Sequence, residues 1–271
     1  MLLKDQVALV TGASRGVGKG IALALGAAGA TVYITGRTVN EGETPFPLSG
    51  AITSTAEEVT RVGGKGIAVR CDHRNDDEVR TVFEQIKSEQ GRLDILVNNV
   101  WGGYEGFHDG NAFKSGPNFW QKPIAFWDEN MMGVRASYVA SVLAAPLLIE
   151  ASKGLIINIS FGVKNSGNPA YAVAKTASDR MVSDFAHELR DHNVSVVALY
   201  PGLVRTEGIM LHAAYFDMTN SESPEFTGRA VAALASDANK MSKSGQVLVS
   251  AVLAQEYGFV DIDGKLPTPA A

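Results

Sequence analysis

The sequence predicts an α/β fold: one doubly wound parallel sheet of about seven strands with helices on both faces, in a single domain over residues 1–271. Three observations carry that expectation. Short apolar, β-rich runs alternate with helix-like segments from end to end. A glycine-rich turn follows the first run directly. No internal repeat or shift in composition marks a second domain. A chain of 271 residues, 45% hydrophobic and 20% charged, is long and apolar enough to bury a large core.

The first run, Val7–Thr11, is nearly all apolar, as suits a parallel strand covered on both faces. The turn "TGASRGVG" leads from it into "GKGIALALGAAGA", a helix, and then into the second strand, Thr31–Thr35. An insertion with two prolines, "VNEGETPFPLSGAITS", precedes the helical "EEVTRV" and the third strand, Gly66–Cys71. The helix "DDEVRTVFEQIKSEQG" and the fourth strand, Asp94–Asn99, follow. An aromatic, glycine-rich loop, "WGGYEGFHDGNAFKSGPNFWQKP", comes next. Both loops fall at the carboxyl ends of strands, where open α/β sheets bind ligands. "YVASVLAAPLLI" (Tyr138–Ile149) reads as a buried helix too short to span a bilayer. Leu155–Ser160 is the fifth strand, "YAVAKTASDRMVSDFAHELRDHN" a helix, and Val194–Tyr200 and Gln246–Ser250 the last two strands.

The bulk numbers exclude several classes. A net charge of −5 offers no basic footprint, so no nucleic-acid partner is expected. The single cysteine, Cys71, rules out an intrachain disulfide and fits a reducing compartment. The amino-terminal apolar run is too short for a signal peptide, so a cytoplasmic protein without a membrane span is expected. No metal site is expected either. His187 and His192 are five residues apart, so on a helix they diverge by about 140°.

Thr11–Gly18 carries the clearest chemistry. Gly12, Gly16 and Gly18 allow a tight turn and close backbone approach, with Ser14, Arg15 and Val17 completing the loop. The helix start beyond it offers unpaired N–H groups to a pyrophosphate. With a strand before, a helix after and the next strand in order, a dinucleotide site is expected. An acidic residue at the tip of the second strand would bind a ribose diol. This chain has Arg37 there and Arg15 in the loop, and two guanidiniums suit a 2′-phosphate, so NADP(H) is favoured over NAD(H).

These features stand with Cys71-Asp72, Asn98-Asn99, Tyr171-x-x-x-Lys175 and "PGLVRT" (Pro201–Thr206). Together, over nearly the whole chain, the sequence resembles the classical short-chain dehydrogenase/reductase family. The resemblance implies a Rossmann-type fold and reversible hydride transfer between a nicotinamide and a carbonyl or alcohol. It implies that Asp72 meets the adenine and Asn98 lines the adenosine side. It implies too that Pro201, Gly202, Val204 and Thr206 form the loop at the carboxamide end, and that subunits pair through helices as homodimers or homotetramers. The residues support the chemistry independently. Tyr171 and Lys175 share one helix face, and a nearby ammonium stabilises a phenolate whose ordinary pKa is ~10. A tyrosine so tuned exchanges a proton with a developing alkoxide.

Two departures from the family pattern stand out. The family's serine ends the fifth strand, and alignment puts Phe161 on the usual position with Ser160 one residue before it. Either Ser160 orients the carbonyl, the reading favoured here, or the serine is gone and Phe161 lines an apolar pocket. Asn130-Met-Met-Gly133 matches the family's Asn-x-x-Gly pattern, yet spacing from the fifth strand puts the relay asparagine's place at Gly133. "NNAG" reads Asn98-Asn99-Val100-Trp101. These deviations are similar to the branch around dehydrogenase/reductase member 1. Trp101, Phe107, Phe113, Phe119, Trp120 and Trp127 are either loop core or the wall of a pocket for an apolar or ring-shaped carbonyl compound; the expected partner is an apolar small-molecule carbonyl or alcohol. The expected activity is an NADP(H)-dependent ketone or aldehyde/alcohol oxidoreductase. The alternative is a catalytically weakened nicotinamide-binding sensor or scaffold.

Overall fold

The computed structural model describes residues 2–43, 48–102, 118–162 and 168–269. Seven strands form one sheet: β1 (Val7–Val10), β2 (Thr31–Gly36), β3 (Lys65–Arg70), β4 (Ile95–Asn98), β5 (Gly154–Ile159), β6 (Val194–Tyr200) and β7 (Val247–Val249). Their order is β3-β2-β1-β4-β5-β6-β7, and every pairing is parallel. The helices are α1 (Gly16–Ala27), α2 (Ile52–Arg61), α3 (Asp76–Gln90), α4 (Ala125–Glu150), α5 (Pro169–Leu189), α6 (Glu207–Leu211), α7 (Pro224–Ser236) and α8 (Ser250–Tyr257). Each expected strand is present, with ends shifted by a residue or two.

Alternation along each strand sorts the core into two layers. Ala8, Val10, Val32, Ile34, Ile157 and Leu199 pack with α1, α2, α7 and α8 on one face. Val7, Leu9, Tyr33, Leu96, Ile156 and Val196 pack with α3, α4 and α5 on the other. Strands buried on both faces cannot alternate apolar with polar residues, which explains the continuous runs in the sequence.

The strand order reverses between β1 and β4, so a crevice opens at their carboxyl ends. The glycine turn after β1 and residues 99–102 after β4 line it. Local capping fixes what faces this crevice from α5. Asn168 Oδ1 accepts the Tyr171 N–H at 3.3 Å, and Pro169 occupies the first turn, where its missing N–H costs nothing. Tyr171 is thereby held in the first turn of the helix.

One expectation changes. Helix α4 runs for 26 residues, well beyond the apolar stretch Tyr138–Ile149, and by length and composition is sufficient to cross a bilayer. It lies among α3, α5, β4 and β5, buries Ala140, Ala144 and Leu148 against the sheet, and also buries the polar Asn130, Ser137 and Ser141. Those are the marks of a core helix.

Candidate active site

Backbone geometry prepares the glycine turn for close approach. Gly12 (φ 65°) and Gly16 (φ 57°) adopt left-handed conformations that disfavour other residues. The α1 start presents the Gly16 N–H, which donates to Glu207 Oε2 at 2.9 Å, so this amide already receives an anionic oxygen. Asn99 braces the turn from β4, its Nδ2 donating to the carbonyls of Thr11 (3.0 Å) and Gly12 (2.9 Å). Ser14 is buried beneath the turn, and Val17 packs against the core.

Arg15 extends from this turn to the tip of β2. Its Nε donates to Ser49 O and its Nη2 to Gly50 O, both at 2.8 Å, and Nη2 approaches Thr38 Oγ1 at 3.5 Å. Burial lowers the Arg15 pKa, Glu207 and Glu41 oppose that shift, and the charge of exposed Arg37 adds to it. The two guanidiniums therefore share one electrostatic neighbourhood. Asp72, half-buried before α3, accepts the Arg74 N–H at 3.0 Å.

At the other end of the crevice, Lys175 is buried, and its Nζ donates to Ile159 O at 3.1 Å. That nitrogen lies 3.5 Å from the centroid of the Trp101 ring and 5.6 Å from that of Tyr171. Tyr171 and Trp101 meet edge to face, centroids 5.8 Å apart. Burial pulls the lysine down to about 7, and the Asp179 carboxylate opposes that shift.

Ser160 is buried with its hydroxyl turned toward α5. It donates to Lys175 O at 3.4 Å and hydrogen-bonds Asp179. Asp179 also accepts a short hydrogen bond from Tyr200 Oη. Burial raises the Asp179 pKa, against Tyr200, Ser160 and Lys175, while burial and the carboxylate push the Tyr200 phenol upward. Half-buried Phe161 follows Ser160.

The loop after β6 closes the site. A parallel bridge joins Val204 to Glu222, and the backbones of Leu203 and Arg205 bond to Glu222 at 2.9 and 2.8 Å. The buried Glu222 carboxyl accepts from Gly202 N–H and from Thr227 Oγ1 (3.1 Å), and burial raises it to about 7. Pro201 is buried, and Thr206 caps α6, accepting the Ile209 N–H at 3.3 Å beside Gly16.

Most residues expected from sequence thus gather on one crevice. Asn98 is turned elsewhere: its amide is buried and donates to Ser141 Oγ (3.0 Å) and Asn158 Oδ1 (2.8 Å), while Asn99 reaches the glycine turn. Alternation of neighbouring strand residues explains the exchange. Of the aromatic group, Phe107 and Phe113 lie outside the described residues, Phe119, Trp120 and Trp127 are exposed, and Trp101 enters the site. Asp179 and Glu207 were missed. Asp179 follows Lys175 by four residues on the same helix, a spacing that could have revealed it.

Comparison with known proteins agrees with this architecture. The family model "short chain dehydrogenase" matches residues 6–213. Dehydrogenase/reductase SDR family member 1 of Mus musculus is 43% identical over 280 residues, covering 97% of this chain and 85% of the relative. A metagenomic short-chain oxidoreductase solved with NADP is 29% identical, with a TM-score of 0.72 over 92% of this chain and 98% of that one. A 7α-hydroxysteroid dehydrogenase complexed with NADH and 7-oxo glycochenodeoxycholic acid is 26% identical, with a TM-score of 0.76 over 91% and 93%.

Proposed function

The chain belongs to the short-chain dehydrogenase/reductase family of NAD(P)-binding oxidoreductases, and from that premise we propose that it interconverts a ketone or aldehyde with the matching alcohol, using NADP(H). The observation that carries this reading is the pairing of Tyr171 with buried Lys175 in the crevice that the glycine turn also lines. The residues fit the cofactor: the Gly16 N–H receives a carboxylate oxygen, as it would a pyrophosphate oxygen. Gly12, Ser14, Gly16, Val17 and Gly18 would form the diphosphate cradle, with Asp72 and Asn99 toward the adenosine. Pro201, Gly202, Val204 and Thr206 would line the carboxamide end. Arg15 and Arg37, whose charge reaches the Arg15 guanidinium, support a 2′-phosphate and hence NADP(H) over NAD(H).

When bound, the cofactor supplies or accepts the hydride. In reduction, the Tyr171 hydroxyl gives its proton to the carbonyl oxygen as hydride reaches the carbonyl carbon. The Lys175 ammonium stabilises the phenolate left behind; oxidation runs the same transfers in reverse. Ser160 serves α5 through Lys175 O and Asp179, leaving the carbonyl to be held by Tyr171. Trp101, edge to face with Tyr171, favours an apolar, ring-shaped substrate, a class to which the oxo bile acid of the hydroxysteroid dehydrogenase belongs.

The whole chain, 1–271, acts as one domain in the cytoplasm. Tyr138, Val142 and Val173, 51%, 50% and 46% exposed on α4 and α5, support a helix-mediated homodimer or homotetramer. Transfer of deuterium from 4-deuterated NADPH into an alcohol product, read by mass spectrometry, tests the reaction. Label in the product supports it; tight NADPH binding with no label across apolar ketones and aldehydes supports the sensor instead.

A further inference from the structure

Two of the deviations from the family's motif pattern, at Trp101 and Gly133, meet in space. Trp101, where the family has glycine, lies against Gly133, the spacing-derived place of its relay asparagine. A Cβ at 133 would stand 2.6 Å from the ring carbon Cε3, so this indole and a side chain at 133 exclude each other. Asn130 is not spare. Its Oδ1 receives the indole N–H at 3.3 Å, and its Nδ2 is fixed on Phe126 O at 2.7 Å. An anchored ring thus fills the space above a bare backbone.

That ring faces Lys175. Lys175 is 5% exposed, and burial favours its neutral form. On its own helix it meets Tyr171 and Asp179, and from the strands Ile159 O and, through Asp179, Tyr200. The Asp179 carboxylate is divided among Tyr200, Ser160 and Lys175, and its pKa is itself raised by burial. An aromatic face within bonding distance attracts a cation without titrating.

We propose that Trp101, seated on Gly133 and anchored by Asn130, is a positioning residue that keeps Lys175 an ammonium beside Tyr171. This rests on reading Tyr171 and Lys175 as the acid/base pair. The indole does so through its π face, so ring electronics matter as well as shape.

The test is a pH titration of the Lys175 ε-methylene carbon by NMR, in full-length protein labelled with 13C-lysine and assigned by its loss in Lys175→Met. Trp101→Leu keeps apolar bulk and removes the face. The Lys175 pKa is expected to fall by about one unit, a tenfold change in the charged-to-neutral ratio. Trp101→Phe restores most of it. Biosynthetic fluorotryptophans keep the native shape while weakening the face, so the pKa falls stepwise with fluorine number, whether or not the leucine variant folds. An unchanged or raised Lys175 pKa in Trp101→Leu, or a flat fluorotryptophan series, overturns the proposal, since an indole that merely excludes water gives those results. Turnover of Tyr171→Phe separates the two readings. Wild-type turnover there sinks the acid/base assignment, whereas a lysine titration indifferent to Trp101 sinks this inference alone.

Discussion

Gly133→Ala isolates the contact on which the site's unusual wall depends. In an open helix this change stabilises by ~1 kcal/mol, through lower backbone entropy in the unfolded chain. Here the new methyl meets three atoms of the Trp101 ring at 2.6, 2.9 and 3.0 Å, closer than carbon atoms pack. The indole cannot back away freely, because its N–H is held by Asn130 and its edge by Tyr171. Overpacking of that kind costs ~1–3 kcal/mol, so the net effect is a destabilisation of about 0–2 kcal/mol. In a Trp101→Ala background the obstacle is gone, and the same substitution stabilises by ~1 kcal/mol. Urea unfolding midpoints of the four proteins, compared at equal m-values, give a coupling of ~1–3 kcal/mol between the sites. If Gly133→Ala stabilises the Trp101 protein as it would an open helix, the indole does not occupy this space.

Other consequences are simpler to measure. Ser160→Ala is expected to leave the kcat for carbonyl reduction within about threefold of wild type, since its hydroxyl bonds α5; a 10²–10⁴-fold loss, the scale of a lost catalytic group, would return it to the carbonyl. Arg37→Asp is expected to weaken NADPH binding ~10–100-fold, on the scale of one charge-assisted hydrogen bond, and to spare NADH; equal losses for both cofactors, measured by fluorescence titration, would remove Arg37 from a phosphate site. Glu222 titrates higher in the folded protein than unfolded, so the folded state binds the extra proton. Its contribution is complete below the ordinary carboxylate range and is lost as pH rises through about 7. Wild-type stability should fall by up to ~3 kcal/mol across that window, and Glu222→Gln should flatten the decline; parallel profiles would show that the carboxyl is not the cause.

Fold and cofactor end were legible in sequence for a physical reason. Strands covered on both faces must be continuously apolar, and a turn that brings backbone to a phosphate needs glycine at fixed offsets. Strand ends, by contrast, depend on hydrogen-bond partners invisible in the chain. Asn98 was placed at the adenosine side by resemblance alone, and strand alternation turns it to Ser141 and Asn158 while Asn99 reaches the glycine turn. The Tyr171/Lys175 pair was legible because i and i+4 lie on one face. Ser160 was ambiguous because its orientation is decided by Asp179 and Tyr200, 19 and 40 residues away in sequence. The length of α4 was hidden by its polar first half, where Asn130 serves Trp101 rather than the sheet. Trp101 and Gly133 looked like two unrelated departures, and only their contact makes them one feature.

The proposed function turns on proton exchange by Tyr171 in an NADP(H)-dependent oxidoreductase. The most direct measurement is NADPH oxidation over a panel of apolar ketones and aldehydes by wild type and Tyr171→Phe, with NADPH affinity determined for both. Turnover is expected to fall 10²–10⁴-fold in the variant while affinity changes only a few-fold. Equal turnover by the two proteins, or a wild type that binds NADPH tightly and oxidises none of it, would contradict it.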